Sequence, residues 1–330
     1  MKTKGARAPV NRGRGDIWVY GGGCCFWNGG ALRYDGETSI SDFRARFLKE
    51  SPYNYSAEPI SALSPVAGAG ASGALFVLDN TPLYFGSLSV REVFALGELD
   101  IASGTLRAGS IRAASGIFIN PGCEVYASGE ISSGGFIECY GGTVEAAGID
   151  ARRVWFDSAG ANLNVTVSGS VVTDNYAQHG GDVWIGGGLY GFASGERAGV
   201  SVNDQYAYHN GVSLRVGGDI VSGNGKIEVG GAVELFAGGD MRAQGQISFH
   251  GGRTFIRKRL ECRDKRDGVR VYGGVVNVGD LRVAGPLTVG SGARSAGEAT
   301  VFVANRLQVG GQLDISGGTV YEGGGLAAQA

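Results

Sequence analysis

The sequence predicts an all-β chain wound as a parallel β-solenoid (β-helix) of about eleven rungs, preceded by an irregular N-terminal cap region that contains one short helix. Three observations carry this. Glycine fills 61 of 330 positions while proline is held to 7. From Arg91 onward, short alternating strands end in glycine every six or seven residues. The run Gly217-Gly-Asp-Ile220 returns as Gly238-Gly-Asp-Met241, one rung further along the chain.

Taken in chain order, residues 1–15 read as a flexible basic arm containing Lys2, Lys4 and Arg7. They lack the apolar core of a secretory signal, so the expected location is the cytoplasm. An extracellular location would need a removed leader or a non-classical export route. Residues 16–90 are irregular and read as a cap or docking region. Within it Ser41 can cap a short helix, with Ile40, Phe43, Phe47 and Leu48 on one face and Pro52 shortly past its end. The glycine-alanine run from Ala67 to Ala74 reads as a hinge or loop.

Residues 91–330 carry the repeat. In Lys226-Ile-Glu-Val-Gly-Gly231 the alternation sends Ile227 and Val229 to one side and Glu228 to the other. Leu307 and Val309 likewise oppose Gln308. Glycine tolerates positive φ, so the chain can turn after four or five extended residues. Strands that short are ill suited to a hairpin sandwich, whereas three of them close one coil of a solenoid. Related starts at Gly97, Gly129, Gly279 and Gly310 are less evenly spaced, which calls for loops between faces.

The run from Val216 to Met241 resembles the repeats of filamentous-haemagglutinin and autotransporter-passenger β-helices. The likeness is one of texture and extends over about 91–330. It implies a right-handed parallel β-helix and, in those families, a role in surface fibres and adhesins. The missing export signal and the irregular first quarter are departures from that pattern.

Composition limits the function classes. Lys plus Arg number 29 against 31 Asp plus Glu, a net charge of −2, which does not suit a chain built to coat nucleic acid. No run of residues is long and apolar enough to span a bilayer. The cysteines Cys24, Cys25, Cys123, Cys139 and Cys262 are odd in number and lack metal-ligand spacing, so reduced packing thiols are expected. The carboxylates Asp157, Asp174, Asp182 and Asp204, with His179 and His209, could form an acid-base cluster only if the rungs happen to bring them together. Solvated surface is the simpler reading. His179 and His250 each precede a glycine pair and read as turn residues. The patterns HExxH, GxSxG and the Walker loop are all absent. No enzyme, no cofactor and no metal site is expected.

One segment stands apart. In residues 253–267 glycine disappears and Arg253, Arg257, Lys258, Arg259, Arg263, Lys265 and Arg266 crowd together. This basic insertion is either a solvated loop or strand pair, or a contact for an acidic neighbour. Balanced overall charge points to another copy of the chain rather than to nucleic acid. A solenoid also exposes unpaired backbone at its ends, and the repeat here runs into Gly323-Gly-Gly-Leu-Ala-Ala-Gln-Ala330 without helix, proline or charge cluster.

The expected function is therefore a non-enzymatic structural protein that self-assembles head to tail into a filament or fibre. Its contact candidates are Arg257, Lys258, Arg259, Arg263, Lys265 and Arg266, with Lys2, Lys4 and Arg7 of the arm. The first alternative is a glycan-binding surface or phage-fibre adhesin using Trp155, Trp184, Tyr190 and Tyr206 as sugar platforms. A polysaccharide lyase or hydrolase on a β-helix comes third.

Overall fold

A computed structural model describes residues 17–20, 24–27, 33–34, 74–77, 82–95, 97–158, 160–192, 198–203, 211–290 and 298–329. The described chain is all-β, 70% strand, and winds as a parallel β-solenoid of about 11 turns. No helix occurs among these residues. The arm (1–15), the helix expected after Ser41 and the glycine-alanine run before Ala74 lie outside them. The chain divides into two compact units, Met1–Asp150 and Ala151–Ala330.

In the first unit Ile17–Tyr20 pairs antiparallel with Cys24–Trp27, which runs parallel to Ala74–Val77. From there every pairing is parallel: Ala74–Val77 with Leu83–Ala95, and Leu83–Ala95 with Glu98–Ala113. The coil is thus already running before Arg91, where the sequence texture changes. Glu98–Ala113 then lies along Gly116–Ile119, Glu124–Ala127 and the start of Glu130–Cys139. Inward positions are stacked aliphatics: Leu99 on Ile117, Leu106 on Val125 and Ile111 on Ile131, all fully buried.

The second unit shows the three-faced coil in full. On the first face Leu163–Val167, Gly181–Ile185, Val212–Val216 and Val233–Ala237 stack in register. The first halves of Arg253–Cys262, Gly274–Val283 and Ala299–Val309 continue it, followed by Gly318–Glu322. The second face runs through Leu189–Gly191, Ile220–Ser222 and Met241–Ala243 into the second halves of those three long strands. The third comprises Ala198–Val202, Lys226–Val229, Ile247–Phe249, Val269–Val271, Leu287–Gly290 and Leu313–Ser316. Alternation sets the inside: Ile227 and Val229 are fully buried and Glu228 is turned outward, as the sequence pattern requires.

The repeated Gly-Gly-Asp has a specific physical cause. Ile220 and Met241 are direct ladder partners, so the two copies sit at one corner on successive coils. There Asp219 Oδ1 accepts the Asp240 N–H at 2.8 Å, and Asp240 Oδ1 accepts the Arg259 N–H at 3.1 Å. Each carboxylate accepts a hydrogen bond from the backbone of the coil above. The Arg242 guanidinium bridges Asp240 and Asp219, at 2.6 and 3.3 Å. The glycines are needed for room rather than for unusual φ: a Cβ at Gly238 would stand 2.2 Å from the Gly217 carbonyl oxygen. Positive φ is required elsewhere, as at Gly252 (+69°), where the chain turns into the basic strand.

Residues 253–267, set apart in the sequence by their charge, carry the strand Arg253–Cys262, which is paired on both sides. Its inward positions Thr254, Ile256, Leu260 and Cys262 are buried like those of any other coil.

Candidate functional site

On the first face of the second unit, the residue after each inward aliphatic points to solvent. Register places Trp184, Arg215, Phe236, Phe255, Asn277, Phe302 and Tyr321 in one column, one per coil. Trp184, Phe236, Phe255 and Phe302 are 45, 38, 46 and 40% exposed, four of the seven large hydrophobic residues that stand out into solvent among the described residues. Scattered singly they would mean little, but in one line they form a built surface. Phe236 and Phe255 stack with centroids 5.4 Å apart and rings 5° from parallel, and Phe302 and Tyr321 at 4.8 Å and 10°. Two residues back along each strand runs a polar column that includes Asp182, Ser213, Glu234 and Arg253. Together the two columns border an open cleft of about 520 Å³ over the coils from Trp184 to Asn277.

Of the aromatic residues singled out in the sequence, only Trp184 stands on this surface. Trp155 is half-buried and meets His179 edge to face at 4.4 Å. Tyr190 is half-buried on the second face, beside Val172 and Val221. Tyr206 lies outside the described residues. Phe236, Phe255, Asn277, Phe302 and Tyr321 were not picked out. Their signal was available as an aromatic directly after an inward residue in Val183-Trp184, Leu235-Phe236, Thr254-Phe255, Val301-Phe302 and Val320-Tyr321.

Asp174 and Asp182 stand on different parts of the coil. Asp182 is on the first face, Asp174 is at the corner between the second and third, and Asp204 and His209 lie outside the described residues. No group of three or more His, Cys, Asp or Glu side chains that could hold a metal ion occurs among the described residues. His179 is buried and His250 stacks on Tyr272 at 4.8 Å. Burial pushes the thiols of Cys123 and Cys262 up to about 11 and that of Cys139 up to about 12, which makes them poor nucleophiles. Cys24 and Cys25 lie on Cys24–Trp27.

The basic residues are spread around one coil. Arg253 faces out from the first face, and Arg257 and Lys258 occupy the next corner. Arg259 lies on the second face, and Arg263, Lys265 and Arg266 follow it into the corner between the second and third faces. Acidic residues interleave with them. Glu261 sits between Arg242 and Arg282 on neighbouring coils, Asp280 between Arg259 and Arg306. Glu261 also pairs with Arg263 at 3.0 Å, and Asp267 with Arg270 and Arg266. Acidic side chains therefore border Arg259, Arg263 and Arg266. Lys2, Lys4 and Arg7 lie outside the described residues.

The last coil differs from the others. Leu307, Val309, Leu313 and Ile315 occupy the same columns as the buried Leu281, Val283, Leu287 and Val289. Leu313 is 40% exposed and the other three half-exposed, because no described strand lies beyond them. Only the first face is closed, by Gly325–Gln329 pairing antiparallel with Gly318–Glu322. Glu322 Oε1 also accepts the Leu307 N–H at 2.7 Å, occupying one donor of the open edge.

These surfaces belong to a three-faced parallel β-solenoid, and no family model, curated protein or solved structure matches the chain. No helix among the described residues is long and apolar enough to cross a membrane.

Proposed function

We propose that the protein is a non-enzymatic structural β-solenoid that self-associates head to tail by laying a second copy's coil on its final coil. The supporting observation is the open edge of 306–309 and 313–316, where the core columns continue into half-exposed aliphatics. Unpaired strand edges beside apolar side chains are templates for strand addition. A second copy fits because the edge to be continued is a three-faced parallel coil with aliphatic columns, the element this chain repeats. A head-to-tail contact does not close on itself and so propagates. The likeness of 216–241 to filamentous-haemagglutinin and autotransporter-passenger repeats, whose β-helices form surface fibres and adhesins, agrees with this reading.

Light scattering and negative-stain microscopy over a wide concentration range test the proposal. Concentration-dependent rods are expected. Leu313→Lys, which places a charge in the open column, should leave monomers with unchanged circular dichroism. Glu322→Ala, which uncovers the Leu307 donor, should lower the concentration at which rods appear. Wild-type protein that stays a dispersed monomer throughout overturns the proposal.

A further inference from the structure

Asn277 interrupts an aromatic ladder. On one side of it Phe255 is stacked on Phe236, and on the other Phe302 is stacked on Tyr321. Asn277 is the ladder partner of both Phe255 and Phe302. Each stacked pair therefore has one ring face covered by its mate and one turned along the column toward the Asn277 coil. The strands that carry the two walls are two coil steps apart, about 9.6 Å between backbones. Asn277 is half-buried, and its amide makes no hydrogen bond to another described residue. The result is a slot one ring wide, with aromatic walls and a floor that both donates and accepts.

We propose that this slot binds one pyranose unit of a linear glycan, whose neighbouring units leave the slot sideways across the face, over the polar column. Surface chemistry decides the class. A chair pyranose carries C–H bonds on both faces and hydroxyls around its edge, so it can meet two aromatic walls and a polar floor at once. The electron-rich ring faces suit those polarised C–H groups. A pyranose is also ringed by hydroxyls that act as both donors and acceptors, which the Asn277 amide can answer. Beyond the slot, Arg253 and Glu234 stand side by side in the polar column and make no ion pair with a described residue. They offer a donor and an acceptor at the border of the slot, where a neighbouring sugar leaving it sideways would lie. Apolar platforms with a few polar groups at the rim are the usual composition of small-ligand sites.

The site is independent of the assembly proposed above, and the test separates them. Calorimetric titration would use defined hexasaccharides of β-1,4-linked glucose, β-1,4-linked N-acetylglucosamine and α-1,4-linked galacturonate, with a hexathymidylate as the flat-ring control. Saturable binding of at least one glycan is expected. Asn277→Phe completes the ladder and fills the slot, so it should weaken binding at least tenfold while circular dichroism is unchanged and melting temperature is not lowered. Asn277→Ala, which empties the floor but keeps the walls, should weaken it several-fold. Binding of none of the three glycans, binding of the oligonucleotide alone, or glycan affinity unmoved by Asn277→Phe would each overturn the inference.

Discussion

Tyr176 donates its hydroxyl hydrogen to Oε1 of Gln178 at 3.0 Å, with both residues fully buried at the end of Val171–Gln178. The same glutamine donates through Nε2 to the Gly181 and Ser213 carbonyls, each at 3.0 Å. One side chain thus ties the end of the third face to the next turn of its own coil and to the coil above. A buried amide is tolerable because its donors and acceptor all find partners, and a satisfied network in low dielectric is stronger than its bonds taken singly.

Removing the amide should therefore cost more than a surface hydrogen bond. Gln178→Leu keeps comparable bulk but strands the Tyr176 hydroxyl and two carbonyls. At about 1–3 kcal/mol for each buried group left unpaired, a loss of about 3 kcal/mol or more is expected. Adding Tyr176→Phe should recover part of it, because the stranded hydroxyl goes too. Urea unfolding of the three variants checks this. Equal stability of Gln178→Leu and wild type would show that the network is incidental.

Thr254 makes the opposite case. It sits in the inward column between Leu235 and Val276, 1% exposed, and its hydroxyl has no hydrogen-bond partner. Valine has nearly the same shape and no polar group to desolvate. Thr254→Val should raise stability by about 1–2 kcal/mol, read as a shifted denaturant midpoint with an unchanged slope. The adjacent Phe236 and Phe255 stack should be undisturbed, since it lies on the outward side of the same strands.

Much of the solenoid is legible in the sequence because its two causes are local. Period-two alternation marks which side of Lys226–Val229 is core, and the spacing of Asp219 and Asp240 reports one coil. The outward ladder is not legible in that way. Whether Phe236, Phe255 and Phe302 share a column depends on coil lengths, and the coils differ in length: Val212 pairs with Val233, whereas Asp182 pairs with Ser213, much further along the chain. Local charge misleads for a related reason. The run from Arg253 to Arg266 looks concentrated along the chain, but winding distributes it over two faces and their corners. Its compensating Asp280 arrives a full coil later. The open final coil also depends on neighbours, since Leu313 sits in the same alternating pattern and column as the buried Leu287, and no described strand lies beyond it.

The buried thiols link this packing to pH. Cys123, Cys139 and Cys262 are fully buried in the core, and desolvation raises their pKa from 9.0 to between about 11 and about 12. The folded state therefore holds these protons more tightly than the unfolded chain does. Between pH 9 and about 12 the native state binds more protons, so stability falls as pH rises across that window. Below pH 9 both states are protonated and the three thiols contribute no slope. Replacing all three with alanine should flatten the alkaline limb of a stability–pH curve while lowering its plateau, because cavities remain. Iodoacetamide at pH 8 should label them in native protein far more slowly than in urea-unfolded protein. Rapid native labelling at Cys139 would show that the core around Gly141 opens readily, contrary to the dry packing seen there.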